Sequence, residues 1–153
     1  MENSTTQPGG GKADVGKRAI ALIIDGVIAG VVGIIPIIGG LVGVAYILVR
    51  DGLEYEFMDH RSIGKKLMKL RPVRLDGGKV DIETSIKRNW MFALGVVIQI
   101  FMYIPIIRGL LVPLISLAAL AIGIMEIVFV VKDAEGRRWG DQLANTKVIE
   151  VKD

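Results

Sequence analysis

Two carboxylates stand nearly alone in long apolar stretches of this chain, and such a placement is where proton or cation chemistry can begin. Asp25 is the only charge between Ala19 and Val49, and Glu126 shares the run from Trp90 to Val131 with Arg108 alone. An ionised carboxylate in hydrocarbon costs about 2.5–3.5 kcal/mol on insertion scales, so Asp25 must face protein or water. Arg18 lies nearly two helical turns before it, roughly 10 Å along the axis, so the two share a helix face but not a direct contact. Asp25 reads either as a protonatable or cation-binding group or as half of an interhelical ion pair that fixes packing. Glu126 lies roughly 9 Å from Lys132 along its own helix, nearly the depth of Asp25. Two carboxylates at one level could share a proton or hold a cation. Gln99, roughly 16 Å beyond Arg88, adds the kind of neutral oxygen that hard cations accept. Arg50 and Asp51, with Glu54, read as a local pair closing a polar mouth or as a solvated helix extension.

The elements that must position these groups are apolar helices. Of the 153 residues 52% are hydrophobic, none is cysteine and the net charge is +3, with a mean hydropathy of +0.52. That composition argues against a soluble globule and against disorder, and it removes disulfide scaffolds and cysteine-ligated metals. A hydrocarbon core takes roughly 20 helical residues per crossing. The run Trp90–Val131 is therefore two spans breaking at Pro105, and Ala19–Val49 reads as two spans breaking at Pro36. The breaks match: Ile35-Pro-Ile-Ile-Gly-Gly-Leu41 against Ile104-Pro-Ile-Ile-Arg-Gly-Leu110, each preceded by a Lys-Arg pair, Lys17-Arg18 and Lys87-Arg88. The expected fold is an all-α membrane protein of four transmembrane helices in two tandem hairpins. The spans fall at about 18–35, 38–57, 88–106 and 110–131. The second span must borrow the charged stretch Arg50–Phe57, or else be tilted or re-entrant.

Residues 1–16 read as a mobile tail and 17–153 as the membrane domain, with a cap formed by 58–87 and 132–152. Eighteen of the 19 basic residues fall on one side of such a topology, which places both termini and the cap in the cytoplasm. The basic balance is then a topology signal facing anionic lipid rather than a nucleic-acid footprint. In the cap, Ser62 starts a short amphipathic helix, Ile63–Leu70, whose Lys65, Lys66 and Lys69 are expected on the lipid surface. Leu70–Leu75 and Thr146–Val151 read as strands that pair, and Trp139–Ala144 as a short helix carrying Asp141. Asp141 is expected either to lock onto a basic residue of the middle loop or to bind a ligand at the mouth. Nothing supports an enzyme: His60 has no zinc or nucleophile pattern around it, and no metal site or cofactor is expected.

Taken in order, Arg18-Ala-Ile-Ala-Leu-Ile-Ile-Asp25, Arg50-Asp51-Gly52, Arg61-Ser-Ile-Gly-Lys-Lys-Leu-Met-Lys-Leu-Arg-Pro-Val73, Arg88-Asn89 and Arg138-Trp-Gly-Asp-Gln-Leu-Ala-Asn-Thr146 resemble the RDD family of prokaryotic membrane proteins. The resemblance covers about residues 17–151 and implies Arg18 and Asp25 as the first two family residues, with Asp141 or Asp51 as the second aspartate. A longer Glu54–His60 connection, Pro72 and Trp139 depart from the family pattern. The resemblance implies the cytoplasmic membrane of a prokaryote and a suggested transport role, without a substrate. The resulting expectation is small-solute transport, most concretely cation/proton exchange, in a homo-oligomer because four short spans make a narrow bundle. The competing expectation is a non-catalytic adaptor that binds a partner protein or anionic lipid through the cap.

Overall fold

The computed structural model describes residues 12–35 and 38–151. Its helices are α1 (Val15–Gly33), α2 (Ile38–Val49), α3 (Ile63–Leu67), α4 (Ile82–Asn89), α5 (Ala93–Phe101), α6 (Pro105–Lys132) and α7 (Trp139–Leu143). Strand β1 (Leu70–Arg74) lies between α3 and α4, β2 (Thr146–Glu150) follows α7, and a 3-10 turn (Trp90–Phe92) joins α4 to α5. The apolar helices form two hairpins, α1 on α2 and α5 on α6, joined by packing of α2 on α5. The order around the bundle is thus α1, α2, α5, α6.

Local chemistry sets the element ends. The Asp14 side chain accepts from the Lys17 backbone N–H to start α1, and Ser62 accepts from Lys65 N–H to start α3. Asp81 does the same for α4 through Thr84, the common device for satisfying orphan donors at a helix start. Pro105 occupies the first turn of α6, where its missing N–H costs nothing. The strands pair antiparallel with Leu70 opposite Glu150 and Arg74 opposite Thr146. That ribbon buries Leu70 and Val148 with Ala13 and Ala21.

The four-span expectation is met only in part. Among the described residues α6 alone is long and apolar enough to cross a membrane, 28 residues with mean hydropathy 2.6. Helix α2 stops at Val49, twelve residues long, instead of reaching 57. Twelve residues rise only ~18 Å. It ends there because the side chains of Arg50 and Asp51 are drawn sideways into the cap by partners described below. Helix α5 has nine residues, because Arg88 and Asn89 belong to the cap and α4 gives way to the 3-10 turn at Trp90. The break at Pro36 lies outside the described residues, as does 1–11 of the expected tail. Residues 12–16, expected to be mobile, are held instead. Ala13 is fully buried, Lys12 Nζ donates to the Val131 carbonyl at 3.0 Å, and the Asp14 N–H donates to Glu150 Oε1 at 3.0 Å.

The outer faces are apolar. Ile23, Val27 and Val31 of α1, Ile34 just after it, and Leu114, Leu117, Leu120 and Ile127 of α6 are all more than half exposed. Contiguous apolar surface on that scale calls for an apolar surround rather than water.

A buried charge network under an open slot

Asp141 sits at the centre of the cap, fully buried in the first turn of α7. Its Oδ2 accepts from Arg18 Nη2 at 2.9 Å and from the Arg138 backbone N–H at 3.1 Å. Its Oδ1 accepts from Arg88 Nε at 3.0 Å and Arg138 Nη2 at 3.3 Å. Burial alone would push this carboxyl up. The guanidinium groups of Arg138, Arg88 and Arg18 outweigh burial and hold it far below the usual carboxylate range. Gly140 permits the arrangement, since a Cβ there would lie 2.1 Å from the Arg88 carbonyl oxygen.

Arg88 carries the network onward. Its Nη1 lies 3.4 Å from Asp51 Oδ2, and Asp51 Oδ1 accepts from Lys65 Nζ at 2.7 Å. Asn89 Nδ2 donates to Asp51 Oδ2 at 3.4 Å. Lys65 is pushed down to about 7, first by burial and then by Arg50 and Arg88, with Asp51 opposing them. Next to Lys65, the Gly64 N–H donates to Asp25 Oδ1 at 2.8 Å, while Arg50 Nη1 lies 2.9 Å from Asp25 Oδ2. A Cβ on Gly64 would lie 2.1 Å from the Ala21 carbonyl oxygen, so this close seat of α3 on α1 is open only to glycine. Arg18 and Asp25 of α1 are thereby fastened to the cap: Asp25 through α3 and Arg50, Arg18 through Asp141.

Glu126 differs. It is 3% exposed, and its Oε1 accepts from the Gly140 N–H at 3.2 Å. Its Oε2 is buried with no hydrogen-bond partner among the described residues. Above the network, α1 and α6 stand on either side of a cavity of ≈ 460 Å³. Its floor includes Arg18, Asp25, Arg50, Arg88, Glu126 and Arg138, and its walls are apolar side chains of both helices. Leu22, Leu120, Ile124 and Ile127 line it yet remain 44%, 61%, 55% and 62% exposed, so the cavity opens sideways between the helices.

Measured against the sequence, Arg18, Asp25, Arg50 and Glu126 come together at this floor, and Asp51 and Asp141 lie directly behind it. Arg50 and Asp51 are not a local pair: each takes a partner from another element. Gln99 does not join them. It packs against Gly40 and donates to Tyr103 Oη at 3.2 Å. The basic helix is also rotated from expectation. Lys65 points inward to Asp51, because Ser62 and Gly64 seat that edge on α1 and the network. Lys66 lies against Phe57, 4.2 Å from the ring centroid, and only Lys69 is an exposed solvated charge. Sequence reasoning gives no site role to Arg88 and Arg138, although both stand in the motifs that carry the resemblance, or to Gly64 and Gly140. A signal for the glycines exists: each interrupts a short helix, where glycine costs about 1 kcal/mol and so has a packing reason.

Helical hairpins with exposed apolar faces, a polar strand-and-helix cap and arginine–aspartate pairs between them define a membrane-protein class. The RDD family model matches residues 37–145, and the chain belongs to that family. The match begins after Arg18 and Asp25 and contains Asp51 and Asp141. No curated protein and no solved structure matches the chain.

Proposed function

We propose that this chain is a multi-pass protein of a prokaryotic cytoplasmic membrane, with both termini and the cap in the cytoplasm, that moves a small solute past the floor of the α1/α6 cavity. Both hairpins then cross or enter the bilayer, the short α2 and α5 reaching only part of its depth and leaving the cap seated at the cytoplasmic boundary. The concrete form is cation/proton exchange with Glu126 as the group that takes up and gives back a proton. The supporting observation is a contrast in charge partners: Asp25 accepts from the Gly64 N–H through Oδ1 and has Arg50 Nη1 2.9 Å from Oδ2, whereas Glu126 Oε2, beside the cavity, has neither a hydrogen bond nor an ion pair among the described residues. Asp25 then serves the route as a strut, holding α3 and Arg50 in place.

The test is proton flux in proteoliposomes on addition of sodium or potassium under an imposed pH gradient. Cation-dependent dissipation by the parent, abolished in Glu126→Gln, is expected. Unchanged flux in that variant removes Glu126 from the mechanism.

A second reading rests on the cap surface. Tyr55, Phe57 and Leu67 are each 65% exposed beside Lys66 and Lys69, a mixture suited to the headgroup region or to a partner protein. Under that adaptor reading a stable partner would co-purify with the parent and be lost in a Tyr55→Ser/Phe57→Ser variant, with no flux in either.

A further inference from the structure

The cavity floor is not balanced in charge. Five buried or part-buried cations gather there, Arg18, Arg50, Lys65, Arg88 and Arg138, against Asp25, Asp51 and Asp141 as their ion-pair partners. With Glu126 counted beside those three, five cations face four carboxylates, which leaves one positive charge when all are ionised. Glu126 has no cation within ion-pair distance among the described residues, and its Oε2 lacks a hydrogen-bond donor, as does Asp25 Oδ2, which however has Arg50 Nη1 2.9 Å away. Buried polar groups left this way cost about 1–3 kcal/mol each, and native structures rarely leave them so. Arg18 and Arg138 reach the cavity with part of each side chain still open, 11% and 16%.

The walls constrain the ligand further. Their apolar side chains stay exposed on the open side of the slot, so a molecule whose apolar part remains in the bilayer can enter without losing its surround. A second copy of the chain would cover those walls but bring nothing for the floor. A fatty acid or an anionic headgroup would meet the arginines and oppose Glu126. A quaternary ammonium would bring no N–H to Glu126 Oε2.

We propose that the α1/α6 slot binds one glycerophospholipid whose headgroup carries a phosphate and a primary ammonium group, the phosphate on Arg18 and Arg138 and the ammonium on Glu126. The inference stands whether or not the chain transports a solute, because binding is read without flux.

The experiment is native mass spectrometry of the full chain against an equimolar mixture of phosphatidylethanolamine, phosphatidylglycerol and phosphatidylcholine with identical acyl chains. One phosphatidylethanolamine is expected to be retained about tenfold over either competitor, the order that one charge-assisted hydrogen bond supplies. Glu126→Gln should reduce the preference for the primary amine over choline. Leu120→Trp, a change on an exposed wall that leaves the floor intact, should lower retention of the bound lipid without loss of fold. Equal retention of the three lipids, preference for phosphatidylglycerol, a lipid-free dimer, or undiminished retention in Leu120→Trp would each overturn the proposal. Selective lipid retention with no cation-dependent flux would strike only the transport reading.

Discussion

The two hairpins meet the same cap in opposite ways. Along α1 and the end of α2, every buried charge has a partner from another element: Arg18 has Asp141, Asp25 has Arg50 and Gly64, and Asp51 has Lys65 and Arg88. On α6, the one buried charge among the described residues, Glu126, touches the cap through a single hydrogen bond to the Gly140 N–H. Asp25 and Glu126 have similar depth and similar apolar surroundings along the chain. What separates an anchor from a chemically available group is the number of partners, and that number is set by how closely the cap approaches each helix. Helix α3 sits on α1 through a glycine, while α6 faces the slot.

Removing the hub of the anchored side should have the largest effect. Asp141→Ala leaves three guanidinium groups without their shared acceptor, and breaking such buried pairs costs about 3–5 kcal/mol. Thermal unfolding in detergent should show loss of most cooperative signal, and a variant as stable as the parent would mean that the arginines are held by something else. Gly64→Ala should come next, at about 1–3 kcal/mol, the usual range for overpacking, because its Cβ would meet backbone rather than a flexible side chain. Gly26→Ala, whose added Cβ would have nothing within 4 Å, is the matched control and should not destabilise.

The third contrast is with pH. Lys65 titrates at about 7 in the fold against an ordinary 10.5, so between those values the unfolded chain binds the extra proton. Stability should therefore rise as pH is raised from about 7 toward 10. The penalty for holding a charged Lys65 is fully present below that window. Lys65→Met should flatten this slope in unfolding midpoints measured across the window, and an equal slope in the variant would assign it to another group. The smallest effect belongs to the open side. Glu126→Gln retains an oxygen for the Gly140 N–H and should change stability by less than about 1 kcal/mol.

Much of this architecture is legible along the chain because it is local. The hairpins follow from apolar run lengths and, for the second, from Pro105, the start of α3 at Ser62 from its side chain, and the strand pair from alternation at Leu70–Leu75 and Thr146–Val151. The charge network is not legible, for a geometric reason. Axial rise gives the depth of a residue but not which neighbour its face meets. Gln99 therefore reads as a companion of the carboxylates, although in the fold its side chain meets Gly40 and Tyr103. Arg50 and Asp51 look paired because they are adjacent, yet successive side chains leaving a helix end point in different directions. Lys65 looks solvated because lysine usually is, and only the seat of Gly64 on α1 turns it inward.

The contrast between a fastened Asp25 and an available Glu126 can be read directly with a hydrophobic carbodiimide, which reacts from the apolar phase with protonated carboxyl groups. Labelling of the protein in bilayers, followed by peptide mass spectrometry, should place the adduct on Glu126 and leave Asp25 unmodified. An adduct on Asp25, with Glu126 untouched, would contradict the account.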